Sequence, residues 1–173
     1  MKKIAVIFAN GTEEIEGLTP VDVLRRAGVS CDLVSVNGLT PVGSHGITVT
    51  ADKTVEQVDF SDYDGIVIPG GMPGAINISA CQRVLLAISD MLEKGKLVCA
   101  ICASPAVVLA DNGLLKTEKA TCYPAPQFIK SLGDKYTAND VEVYANFITA
   151  NGPKSAMAFS IAICNYLGVE PKF

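Results

Sequence analysis

The sequence holds six cysteines, at positions 31, 81, 99, 102, 122 and 164, and one histidine, His45. Cys102 differs from the other thiols in its neighbours. It lies in Ala100-Ile101-Cys102-Ala103-Ser104, with small residues two before and two after it. A nucleophile elbow needs that pattern, because the chain doubles back too tightly for larger side chains. An apolar run ends just before Cys102 and a helix is expected just after it, near Pro105. The positive end of that helix would favour thiolate and lower the thiol pKa.

Cys99 and Cys102 spell C-x-x-C, but Cys99 falls inside the apolar run. Strand alternation would send the two side chains to opposite faces, which leaves Cys99 a buried, inert thiol. The remaining cysteines lie mostly in apolar runs and read as small hydrophobes. Zinc would need clustered Cys or His, so no metal site is expected.

The acidic loop carries Glu13, Glu14 and Glu16. Glu13 and Glu14 read as solvated. Glu16, at the loop's end, reaches the start of the first helix, where a carboxyl facing a thiolate would share its proton and have its pKa raised. Pro69-Gly70-Gly71-Met72-Pro73-Gly74 is either a simple turn or a place where backbone amides approach an anionic oxygen or sulfur. Its spacing is not that of a dinucleotide fingerprint. Tyr123 is either wall or hydrogen-bond donor, and His45 reads as an ordinary surface histidine.

These residues need a scaffold. Lys3 to Ala9, Cys31 to Val36, Gly65 to Pro69 and Leu97 to Ile101 are compact apolar runs, read as central strands. Helices are expected from a first turn at Pro20 to Gly28, from Ala75 to Leu92 with a break near Ser79, from Pro105, over Gln127 to Leu132, and over Ala156 to Leu167. Thr40 to Thr50 and Val141 to Ala150 resemble hairpins, and Ala120 to Tyr123 a short strand. Continuous apolar strands alternating with helices give an α/β fold, a flavodoxin-like, doubly wound, mostly parallel sheet with helices on both faces. Ligands of such sheets sit beyond the carboxyl ends of the strands, which selects the loops at residues 10–16, 70–74, 102–105 and near Tyr123.

Bulk properties narrow the classes. The 173 residues suit a single domain, 1–173, and 49% apolar residues can fill a core without disulfides. A net charge of −4 without a basic run argues against nucleic acid as a partner. The apolar stretch after Lys2-Lys3 is too short for a secretory signal and is broken at Asn10-Gly11. No run reaches the roughly 18 to 20 apolar residues that span a bilayer. The expected location is the cytoplasm, with no membrane partner.

Taken together, Ile15-Glu16, Pro20-Val21-Asp22-Val23-Leu24-Arg25-Arg26-Ala27-Gly28, Ile68-Pro69-Gly70-Gly71, Ala100-Ile101-Cys102-Ala103 and Asn151-Gly152-Pro153 resemble the ThiJ/PfpI superfamily. Within it they are most similar to the branch of the parkinsonism-associated protein DJ-one. The resemblance runs through essentially the whole chain, in order. It implies a flavodoxin-like homodimer in which Cys102 is the reactive nucleophile, readily oxidised to sulfinate, and Glu16 its protonated carboxyl partner. Gly70 and Gly71 would form the adjacent amide pocket, and Arg26 and His45 would lie near the dimer interface and site rim.

The activities implied are cofactor-free glyoxalase chemistry on methylglyoxal and related α-oxoaldehydes, and deglycation of early adducts. Redox sensing and chaperone roles are the alternative on the same cysteine. Many relatives carry a His-Pro pair where this sequence has Tyr123-Pro124. Without that imidazole a Cys-His dyad is absent, and peptidase activity is not expected. Proton transfer would fall to Glu16, or to a partner subunit's histidine, with the Gly71 and Ala103 amides holding the oxyanion.

Overall fold

Alternation along the strands decides the layering. The computed structural model describes residues 1–173. In its first strand, β1 (Lys3–Phe8), Ile4, Val6 and Phe8 enter one core layer while Ala5 and Ile7 enter the other. The first layer lies under α1 (Glu14–Arg26) and α5 (Ala156–Leu167). The second lies under α2 (Gly74–Ser79), α3 (Gln82–Glu93), a π-helical turn over Pro105–Ala110 and α4 (Pro126–Leu132). A sheet covered on both faces needs strands that are apolar throughout, as β4 (Gly65–Ile68) and β5 (Leu97–Ile101) are.

The remaining strands are β2 (Ser30–Ser35), β3 (Lys53–Thr54), β6 (Val141–Tyr144) and β7 (Phe147–Ala150). The sheet order is β3-β2-β1-β4-β5-β7-β6, parallel except for the antiparallel pair β6–β7. Its core order β2-β1-β4-β5-β7 is the flavodoxin-like arrangement of five strands, with β3 and β6 added at the edges. Chain direction across the sheet reverses between β1 and β4, so their carboxyl ends part and leave a crevice there. No helix is long and apolar enough to cross a membrane.

Several elements depart from the sequence reading. The first helix starts at Glu14 rather than at Pro20, which sits in its interior. The Glu13 carboxylate opens the helix early by accepting a hydrogen bond from the Glu16 N–H at 2.9 Å, an N-cap at the usual three-residue spacing. Residues 40–50 form no hairpin beyond one bridge, Val42 to Thr48, and Ala120 to Tyr123 forms only the bridge Ala120 to Tyr136. The expected helix break falls at Ala80–Cys81. Val141 to Ala150 is a hairpin.

Candidate functional site

Cys102 is the first residue after β5, and its backbone has φ +64°. That left-handed conformation costs a non-glycine residue about 1–2 kcal/mol, and it persists because both sides of the turn are tied down. The Cys102 N–H donates to Ala150 O at 2.9 Å, and its carbonyl accepts from the Tyr123 N–H at 2.8 Å. Ser104 Oγ donates to Pro69 O at 2.6 Å, locking the elbow to the glycine loop beyond β4. The small neighbours foreseen for such a turn are fully used: Ala100 and Ser104 are completely buried.

Glu16 projects from the first turn of α1 to the crevice beyond β1 and β4. It is fully buried. One carboxyl oxygen, Oε2, accepts the Gly70 N–H at 2.8 Å. The other, Oε1, has no hydrogen-bond partner; the carboxyl group as a whole interacts with the Cys102 thiol. Gly70 is required there. A Cβ at Gly70 would lie 2.7 Å from Cys102 Cβ and 2.8 Å from Glu16 Oε2. Gly71 has φ +86°, and a Cβ on it would overlap the Glu13 backbone N. The Gly71 and Ala103 N–H groups donate toward the Cys102 sulfur.

Electrostatically, Cys102 and Glu16 form one unit. Burial raises the Glu16 carboxyl pKa to about 7, against the pull of hydrogen bonds to Cys102 and Gly70, and the nearby Glu13 charge adds to the rise. Burial also pushes the Cys102 thiol up, and a charged Glu16 pushes it further. The helix-end effect expected to lower this thiol therefore loses: the sulfur is largely desolvated and has a carboxyl beside it. A carboxylate and a thiolate side by side in a dry site oppose each other, so after the first proton leaves near pH 7 the second is held to much higher pH. When the remaining proton sits on the Glu16 carboxyl, the carboxyl and the Gly71 and Ala103 amides together surround a Cys102 thiolate.

The other thiols lack such a setting. Burial pushes Cys31 to about 12 and Cys122 to about 11, and raises Cys99 and Cys164 as well. All six cysteines are free. Cys99 lies in the core layer under α1 and α5, and Cys102 borders that same layer rather than the opposite one. The reversal at Cys102 breaks the strand alternation on which the opposite-face expectation rested.

Tyr123 is half-exposed and forms a wall of the mouth beside the elbow. Arg26 and His45 stand apart from the sulfur within this chain. Arg26 pairs with Asp22 at 3.1 Å and lies over the Phe173 ring. His45 Nδ1 is 2.8 Å from Glu14 Oε2 and 3.7 Å from Glu13 Oε1. Glu13 and Glu14 are buried, contrary to the solvated loop expected from their charge. Each is accounted for: Glu13 caps α1, and Glu14 accepts the His45 N–H at 2.8 Å along with the His45 ring. The i, i+3 spacing of Glu13 and Glu16 was the available signal for the cap. Nothing in the sequence marked Ser104 as the tie to Pro69.

A doubly wound α/β fold with a thiol at a strained elbow beside a buried carboxyl defines the class of architecture to which the chain is compared. The sequence profile described as the DJ-1/PfpI family matches residues 2–165, and the chain belongs to that family. It is 33% identical to the Parkinson disease protein 7 homolog of Danio rerio, over 96% of this chain and 89% of that protein. The structure "Toxoplasma gondii DJ-1, oxidized" superposes with a TM-score of 0.92 at 38% identity, covering 96% of this chain and 91% of that one. Protein DJ-1 homolog B of Arabidopsis thaliana is 35% identical over 96% of this chain. The chain spans only about two fifths of the length of the Arabidopsis homologs B and A, 38% and 41% respectively.

Proposed function

We propose that this protein is a cofactor-independent enzyme that converts α-oxoaldehydes such as methylglyoxal to 2-hydroxy acids, or removes their early adducts, through Cys102. The observation that carries the reading is the fully buried Glu16 carboxyl, which interacts with the Cys102 thiol. A carboxyl with a pKa of about 7 is suited to give and take a proton at neutral pH.

In the reaction, the Cys102 thiolate adds to the aldehyde carbon, forming an S–C bond, and the new oxygen takes a proton to give a hemithioacetal. Glu16 removes the proton from that carbon and returns one to the neighbouring carbonyl carbon through an enediol. The first carbon is thereby oxidised to a thioester and the second reduced to an alcohol, so no outside oxidant is needed. Water then cleaves the S–C bond, releasing the hydroxy acid and the thiolate. The Gly71 and Ala103 amides stabilise the oxyanions. Cys102→Ala should abolish formation of lactate from methylglyoxal; wild-type turnover in that variant would overturn the mechanism. The only histidine is bonded to Glu14, so no Cys-His pair supports peptidase chemistry in this chain.

A second reading has support of its own. Cys102 and Cys81 are the two thiols that are not buried, and the Toxoplasma relative was solved in an oxidised form. Peroxide would convert the Cys102 thiolate through sulfenate to sulfinate, with the added oxygens held by the same amides, making the protein a redox-responsive protective factor. Mass spectrometry of peroxide-treated protein tests it; oxidation of Cys81 with Cys102 untouched would exclude it.

Two settings accompany both readings. Six free thiols fit a reducing compartment, the cytoplasm. The exposed Ile15, Val42 and Ile47, all near the start of α1, fit a homodimer contact that brings His45 and Arg26 of one copy toward the site of the other. Light scattering that returns a monomer mass would remove that contact.

A further inference from the structure

Four asparagines of the chain are followed by glycine: Asn10-Gly11, Asn37-Gly38, Asn112-Gly113 and Asn151-Gly152. Such a pair can react with itself. The glycine nitrogen, once deprotonated, can attack the asparagine side-chain carbonyl, because no Cβ on the following residue shields it. The fold decides which pair is free to do so. What matters is whether the attacking N–H is held elsewhere, whether the departing amide nitrogen is held, and whether a donor sits on the carbonyl oxygen.

Three of the pairs are locked. The Gly11 N–H donates to Val42 O at 2.8 Å and Asn10 Oδ1 accepts the Val42 N–H at 2.9 Å, so both reacting groups are pinned to one residue. The Gly113 N–H donates to Ala110 O at 3.0 Å, and Asn112 Nδ2 donates to Ser79 Oγ at 2.9 Å and to Val108 O at 3.0 Å. Asn151 is held at both ends of its amide: Nδ2 donates to Asp140 Oδ1 at 2.9 Å and Oδ1 accepts from Ser155 Oγ at 2.6 Å, beside a buried Gly152.

Asn37-Gly38 differs on every count. It lies in the exposed turn after β2. Neither the Gly38 N–H nor Asn37 Nδ2 donates a hydrogen bond within the chain. A Cβ on Gly38 would meet nothing within 4 Å, so a ring closing there has room. Asn37 Oδ1 accepts the Asn10 N–H at 2.9 Å. That bond polarises Cγ and stabilises the negative charge that develops on the oxygen during attack.

We infer that Asn37 is a spontaneous modification site, which the folded chain converts to aspartate and isoaspartate ahead of its other asparagines. The Gly38 nitrogen gives its proton to solvent hydroxide and bonds to Asn37 Cγ. The Cγ–Nδ2 bond breaks and ammonia leaves, closing a succinimide. Water opens that ring at either carbonyl carbon, giving aspartate or an isoaspartate whose main chain runs through the former side chain. Nothing is oxidised or reduced, and water is the only co-reactant. The inference is independent of the chemistry at Cys102.

The test holds the full chain, folded and in concentrated urea, in mildly alkaline buffer. Peptides taken at intervals are mapped by mass spectrometry, and isoaspartate is detected with a protein isoaspartyl methyltransferase. In the folded chain Asn37 should lead Asn10 and Asn112 by roughly fivefold or more, since each of those must first break a backbone hydrogen bond. It should also lead Asn151. In urea the spread among the four should collapse. Conversion of any of the other three ahead of Asn37 in the folded chain would overturn the inference, as would an Asn37 that stays intact there. The same spread in urea would overturn it too, by assigning the preference to local sequence. Gly38→Ala, whose Cβ shields the attacking nitrogen, should suppress conversion at Asn37, while unchanged rates at Asn10 and Asn112 report that the variant is folded. Undiminished conversion in that folded variant would remove Gly38 as the nucleophile.

Discussion

Gly70 donates its backbone N–H to Glu16 Oε2 at 2.8 Å while the side chain it lacks would fall 2.7 Å from Cys102 Cβ. One glycine thus sets the distance between carboxyl and sulfur. Gly70→Ala should push the two apart, at a stability cost of roughly 1–3 kcal/mol for overpacking. It should also slow iodoacetamide labelling of Cys102 in the folded protein. Denaturant melts and labelling rates on the same sample check both effects; unchanged labelling in a folded variant would show that Gly70 does not hold the pair together.

Stability should depend on pH through Glu16. Its carboxyl is raised from the ordinary 4.5 to about 7 in the folded chain. A raised carboxyl binds its proton more tightly when folded, so its contribution is fully present below about 4.5 and is lost as pH rises through about 7. The loss is on the order of 3 kcal/mol if the whole shift is felt. Glu16→Gln cannot lose that proton. The difference in unfolding free energy between variant and wild type should therefore grow in favour of the variant from pH 5 to pH 8. A pH-independent difference would mean that Glu16 titrates normally.

The same substitution separates proton transfer from thiol reactivity. Glutamine keeps a donor beside the sulfur but carries no transferable proton. Turnover of methylglyoxal should fall by about 10²–10⁴, the usual worth of a general acid–base group. Cys102 should still be labelled by iodoacetamide. Retained turnover would take Glu16 out of the reaction.

Backbone strain at Cys102 has its own signature. At φ +64° any residue with a Cβ bears the left-handed penalty, and glycine does not. Both Cys102→Ala and Cys102→Gly remove the sulfur, so their difference isolates the backbone. Glycine should be the more stable of the two by about 1 kcal/mol in chemical denaturation. The reverse order would show that the elbow is unstrained.

Much of this was legible in the sequence, and the failures have a common cause. β1, β4 and β5 read correctly because each is largely apolar on both faces, β2 because Cys31, Leu33 and Val34 make a compact apolar run, and the elbow because small residues flank Cys102. What failed depended on tertiary partners. Glu13 and Glu14 looked solvated because local sequence does not reveal that the Glu16 N–H and the segment around His45 fold over them. The expected helix at Pro105 became a short π-helical turn, and burial outweighed the dipole at Cys102. Pro20 looks like a helix start because proline suits a first helical turn, but the Glu13 carboxylate caps the Glu16 N–H and opens the helix earlier.

Because His45 is the only histidine, its titration can be followed as a single pair of imidazole resonances. The Glu14 carboxylate hydrogen-bonds the ring and raises its pKa above the ordinary 6.5, and Glu13 adds to the attraction. Glu14 is itself held below the ordinary carboxylate value: burial works to raise it, but the His45 ring and backbone N–H outweigh that. The two shifts set opposite ends of one pH window. The histidine's contribution is present below 6.5 and disappears as pH rises through its elevated pKa, while that of Glu14 is present above 4.5 and disappears as pH falls through its depressed one. Glu14→Gln should return the His45 titration toward 6.5 in a proton NMR experiment. A histidine that titrates identically in both proteins would show that the ring is free in solution and that the segment from Ser44 to Ile47 does not close over Glu14.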